Sequence, residues 1–100
     1  MIKIKVNYED NFITGFKITG HANYDEHGKD IVCASVSSIA ITSCNMALSI
    51  NPDSIEIIQK EGLIDCNVLV KDEIINKVFE NMLNMLKELE TNYKNNVKIL

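Results

Sequence analysis

The sequence predicts an α/β (α+β) fold, a two-layer sandwich with a mixed or mainly antiparallel sheet and two helices. Three observations lead there. Apolar and polar residues alternate in two pairs of short stretches, each pair joined by turn residues. Two longer stretches carry apolar residues at helical spacing. The resulting order is β-β-α-β-β-α-β, and a sheet covered on one side by two helices is its natural closure. The 100 residues read as one domain, 1–100, with no linker, repeat or low-complexity segment.

In order along the chain, Ile2, Ile4, Val6 and Tyr8 alternate with Lys3, Lys5 and Asn7, the pattern of a strand with one wet face. Glu9-Asp10-Asn11 is a turn. Phe12 to Thr19 returns, with Phe12, Phe16 and Ile18 in phase and Gly15 as the candidate bulge. Residues 20–30 form a loop from strand end to helix start, and Asp30 is a fair N-cap. The first helix spans about Ile31 to Leu48 and stops near Asn51-Pro52, because proline disfavours helix in the residue before it. A second hairpin runs through Ile55 and Ile57, turns at Glu61-Gly62, and returns through Ile64, Cys66, Val68 and Val70. Asp72 caps a second helix whose apolar stripe runs from Ile74 to Tyr93. Asn95-Asn96 ends it, and Val97 to Leu100 supplies a last short strand.

Composition narrows the function. The chain is 46% hydrophobic and 24% charged with a net charge of −4, which suits a globular fold. All ten basic residues are lysines scattered along the sequence, so direct nucleic-acid binding is disfavoured. The first residues read as a strand rather than a signal peptide, and no apolar run is expected to reach the length of a membrane span. A cytoplasmic protein is the simplest reading. Three cysteines without a CxxC pair support neither a disulfide framework nor a four-cysteine zinc site.

Chemistry concentrates in residues 20–37. Cys33 falls in the first turn of the first helix, where free N–H groups and the helix dipole favour a thiolate. His21 sits at the other lip of the same loop, so a nucleophile and a base share one connection. Each residue also has a plainer reading. Cys33 is equally a small core residue, and His21 alone reads as a surface histidine. Asp30 has its capping role and is also placed to hold His21. Ser37, one turn beyond Cys33, either borders the site or bonds back to its own helix. His27 reads as a solvated loop residue; Cys44 and Cys66 fall in phase with core positions. The loop from Ala22 to Lys29 is polar and flanked by Gly20 and Gly28, as a gate is. Backbone N–H groups of Cys33 and Ala34 are the expected oxyanion donors. Two other classes compete: a metal-binding module using His21, His27 and Cys33 with Asp25 or Asp30, and a non-catalytic binding module in which Cys33 only packs.

Gly20-His21-Ala22, then Gly28, Asp30-Ile31-Val32-Cys33-Ala34, Val36 and Ser37, form the pattern G-H-A…G-x-D-I-V-C-A-x-V-S. This resembles the signature of the ribosomal-processing cysteine proteases of bacteria, small proteins of about this length. The resemblance implies a cysteine endopeptidase without a cofactor or metal, with Cys33 and His21 catalytic and Asp30, Ser37, Gly20 and Ala34 in support. It implies that the substrate is the short N-terminal extension of a large-subunit ribosomal protein, the twenty-seventh, cut after a hydrophobic, aromatic-containing stretch. It further implies a homodimer. Residues 23–27 and the helix tail around 43–51 depart from the family's commonest residues, which bears on cleavage preference more than on chemistry.

Overall fold

A computed structural model describes residues 1–100. The elements are β1 (Ile2–Glu9), β2 (Phe12–Thr19), α1 (Ile31–Ile50), β3 (Ile55–Lys60), β4 (Leu63–Val68), α2 (Glu73–Asn92) and β5 (Val97–Ile99). The strands form one sheet in the order β3-β4-β2-β1-β5. All neighbours are antiparallel except β1 and β5, so the sheet is mixed.

The β1–β2 hairpin closes through Asp10 (φ 52°) and Asn11 (φ 67°). Two consecutive left-handed residues make the type I′ turn, whose twist matches the strands it joins. Beyond the turn the ladder slips: Tyr8 pairs with Ile13 but Asn7 pairs with Gly15. Thr14 is therefore the extra residue, and the bulge lies beside Gly15 rather than on it. This changes the phase read from the sequence. Ile13, Phe16 and Ile18 are buried together, while Phe12 is only half-buried. Gly15 serves a close approach instead, since a Cβ there would lie 2.8 Å from the Cys66 carbonyl oxygen on β4.

Each helix begins on an aspartate. The Asp30 carboxylate accepts from Val32 and Cys33, and that of Asp72 from Ile74 and Ile75. The buried stripe of α1 is Val32, Val36, Ala40, Cys44 and Ala47, and its alanines let α2 pack closely beside it. Buried Ser54 ties the far end of α1 to β3 by donating from Oγ to the Ala47 carbonyl at 3.1 Å. The 20 residues of α1 carry no charge and are long and apolar enough to cross a membrane. This corrects the expectation that no run reaches that length, although the stripe just named is packed into the core.

In α2, Ile75, Phe79, Met82, Leu83 and Leu86 are buried, and the Phe79 ring meets that of Phe16 at 5.6 Å. The helix ends at Tyr93, earlier than expected, and β4 ends at Val68 with Val70 outside it. Strand β5 then lies parallel to β1, with Val97 opposite Ile2. The Ile2 N–H donates to the Asn96 carbonyl at 2.9 Å. This brings Asn96, just before β5, to the end of the sheet where β2 gives way to the 20–30 loop.

Candidate active site

The loop is built outward from two glycines. Gly20 has φ +89°, and a Cβ on it would lie 2.5 Å from the Met1 carbonyl oxygen. No other residue fits there. Its N–H donates to the carbonyl of Gly62 in the β3–β4 turn at 3.0 Å. The exposed His21 ring then rests over Gly62: a Cβ at residue 62 would stand 3.2 Å from His21 Nε2. Gly62, read from the sequence only as a turn residue, is thus the shelf on which the imidazole lies.

Ala22 comes next and is 1% exposed. Both sides of its backbone are engaged. Its N–H donates to Cys33 Sγ at 3.2 Å, and its carbonyl accepts from Asn96 Nδ2 at 3.0 Å. Ala22 is therefore a fixed root of the loop, not part of a moving gate. The following residues are tied as well. The N–H groups of Tyr24 and Asp25 donate to Asp30 Oδ2 at 2.9 and 3.2 Å, and the Tyr24 ring meets Tyr93 edge-on at 5.4 Å. Glu26 to Lys29 are exposed, with Gly28 at φ +86° and nothing within 4 Å of a Cβ there. This outer part closes on itself, the Lys29 N–H donating to the Glu26 carbonyl at 2.9 Å. At its tip His27 Nε2 lies 3.9 Å from Glu61 on the β3–β4 turn, both side chains being exposed.

Asp30 is the buried hub. Oδ1 accepts from Val32 and Cys33, each at 3.0 Å, while Oδ2 holds Tyr24 and Asp25. Burial pushes its carboxyl up, but the four N–H donors, led by Cys33, outweigh that and hold it below the usual carboxylate range. All four bonds come from backbone, so Asp30 shapes the loop and the helix start rather than holding His21. Those bonds also overturn the expected oxyanion donors. The Cys33 N–H belongs to Asp30 Oδ1, and the Ala34 N–H donates to the Asp30 carbonyl at 3.1 Å. The side-chain cap takes the first of these donors and the first backbone bond of the helix takes the second.

Cys33 is half-buried in the first turn of α1. It borders an open cavity of about 620 Å³ together with His21, Asp30, Ser37, Gly20, Ala34 and Gly28. The Ser37 hydroxyl makes no hydrogen bond back to the helix, unlike those of Ser35 and Ser43. Ile2, Ile18, Val36, Leu63 and Ile64 give the cavity its apolar part, and Asp25, His27, Lys60 and Glu61 its polar rim. Cys44 and Cys66 lie buried in the core, where contact with Cys44 and burial push the Cys66 thiol up. No three His, Cys, Asp or Glu side chains come together as a metal ion requires, so the metal-module reading loses its ligand set.

A thiol with a backbone N–H aimed at its sulfur, and an imidazole on the same cavity, is equipment for acyl transfer. The family model described as cysteine protease Prp matches residues 1–98. The chain belongs to the Prp family of cysteine proteases. A ribosomal processing cysteine protease Prp from Mycoplasma genitalium is 31% identical over 98 residues, spanning 96% of this chain and 93% of the relative. The protein of the same name from Bacillus subtilis is 28% identical over 100 residues, spanning 90% and 87%. The fold matches the crystal structure of S. aureus Prp with a covalently linked product peptide at a TM-score of 0.93. That match covers 99% of this chain and 97% of the other at 24% identity. A second S. aureus Prp structure, holding a substrate peptide, matches at a TM-score of 0.88 and 23% identity, covering 100% and 98%. The mixed sheet and two helices of this Prp-family chain follow that architecture, and its activity is that of a cysteine protease.

Proposed function

We propose that this Prp-family protease uses Cys33 as its nucleophile and His21 as its base to remove the N-terminal extension of a large-subunit ribosomal protein, the twenty-seventh. The observation that carries the assignment is the Ala22 N–H donated to Cys33 Sγ, which marks this thiol among the three as the one served by the loop. Sulfur attacks the scissile carbonyl, forming a C–S bond as the carbonyl pair moves to oxygen. His21, having taken the thiol proton, gives it to the departing amine. Water then cleaves the thioester, restoring the thiol and releasing the new carboxylate.

The apolar side of the cavity suits an aromatic or long aliphatic residue before the cut, each worth about 1–3 kcal/mol on burial. The substrate identity rests on the signature in residues 20–37 and on the ribosomal-processing names of the relatives. The reading includes a homodimer acting in the cytoplasm, where three unpaired thiols stay reduced. Incubation with a peptide of that ribosomal N-terminus, followed by mass analysis, tests it. One cut after the hydrophobic stretch is expected. An intact peptide, or equal cleavage of a variant with glutamates before the bond, overturns the substrate assignment.

A further inference from the structure

We infer that Asn96 is a positioning residue for the peptide chemistry: it holds the Ala22 peptide so that the Ala22 N–H serves Cys33 and then the oxyanion. The inference rests on the reading of Cys33 as nucleophile and extends it to a residue 74 positions from the loop. The chain of contacts is short. Asn96 Nδ2 donates to the Ala22 carbonyl at 3.0 Å, and the Ala22 N–H donates to Cys33 Sγ at 3.2 Å. Ala22 itself is buried, so its orientation is set by these bonds and by its packing. Asn96 is in turn fixed by backbone, its N–H donating to the Tyr93 carbonyl and its carbonyl accepting from Ile2, each at 2.9 Å. The amide that grips the loop is therefore anchored to both α2 and β1.

The chemistry needs such a donor. The N–H groups of Val32, Cys33 and Ala34 are all committed to Asp30, so the expected donors at the nucleophile are not free for the developing oxyanion. The Ala22 N–H is the donor already at the sulfur. When the sulfur pair forms the bond to the carbonyl carbon, negative charge leaves sulfur and arrives on an oxygen attached to the same carbon. That oxygen stands about 2.7 Å from the sulfur, within reach of an N–H that no longer has a thiolate to satisfy. The bond to the Ala22 carbonyl fixes the backbone on one side of the Cα whose other side carries the N–H at Cys33, and a donor held still is what preorganisation requires.

Two variants separate this from a merely structural role. Asn96→Asp keeps the shape but turns a carboxylate toward the Ala22 carbonyl; Asn96→Ala removes the side chain. Two readouts are taken: kcat and KM on a cleaved peptide, and the rate of Cys33 alkylation by iodoacetamide, mapped by mass. Both variants should lose about tenfold in kcat, the worth of one hydrogen bond, with KM little changed and alkylation of Cys33 slowed. Wild-type kcat and alkylation in Asn96→Asp, with cleavage abolished in Cys33→Ala, would overturn the role of Asn96 alone. Should Asn96→Ala fail to fold, the isosteric Asn96→Asp still decides. Cleavage retained by Cys33→Ala would instead overturn the nucleophile assignment, and the positioning role with it.

Discussion

Replacing Asp30 by asparagine should release the loop while leaving the helix capped. The two oxygens of the carboxylate do separate work: Oδ1 serves α1 through Val32 and Cys33, and Oδ2 serves the loop through Tyr24 and Asp25. An asparagine oxygen caps as well as aspartate, so it stays on the helix side, and the amide NH₂ then faces two N–H donors. The bonds lost are worth about 1.5–3 kcal/mol each, since the acceptor is charged, or about 3–6 kcal/mol together. Ordering three residues from Asn23 to Asp25 costs about 3–6 kcal/mol in backbone entropy, so the tether and its cost nearly cancel. Without the tether the segment opens. Amide hydrogen exchange reads this directly: Tyr24 and Asp25 should lose protection in Asp30→Asn while Val32 and Cys33 keep theirs. Asp30→Ala should lose all four and melt lower by about 4–8 °C for the missing cap, worth about 1 kcal/mol. There is also a pH arm. The folded carboxyl lies below its ordinary value of 3.8, so its contribution is complete above that value. It is lost as pH falls through the depressed folded value, when the proton displaces the N–H donors. Wild type should therefore show loop opening in acid, and Asp30→Asn should show none. Unchanged protection of Tyr24 and Asp25 in Asp30→Asn would refute the division of labour.

Two further substitutions address the histidines and their shelf. His21→Ala should lose most peptide turnover, while His27→Ala on the exposed loop should lose little; comparable losses in steady-state assays would count against a single base. Gly62→Ala should lower kcat, because its Cβ would press on the His21 ring at 3.2 Å and its φ of +71° disfavours any side chain. The strained backbone should also cost about 1 kcal/mol in a denaturant melt. A variant with normal kcat would show that the ring does not depend on this shelf.

Much of the fold was legible because its signals are local. Asp30 and Asp72 announce helix starts, Asn51-Pro52 a stop, and the alternation of Ile2, Ile4 and Val6 a strand. Where the sequence misled, a non-local contact or an extra residue decides. Nothing in residues 12–16 reveals that Thr14 is the bulge, so Phe12 stood in for Ile13 as a core residue. At the site, Cys33 and His21 were legible as helix-start thiol and strand-end imidazole. Asn96 was not, because only the parallel pairing of β5 with β1 carries it to Ala22. Gly62 was visible as a turn glycine, but its place under His21 follows from the β4–β2 register, with Leu63 opposite Thr19. The oxyanion donors were misassigned for a reason the sequence does contain: an aspartate at the N-cap spends the N–H groups of the first turn on itself.

Cys33 should carry the covalent intermediate of peptide cleavage. Rapid mixing of enzyme with a cleavable peptide, acid quenching and intact-mass analysis should show a species heavier by the acyl fragment. Fragmentation should place the adduct on Cys33, and Cys33→Ala should show neither adduct nor product. An adduct on Cys44 or Cys66, or full turnover by Cys33→Ala, would contradict it.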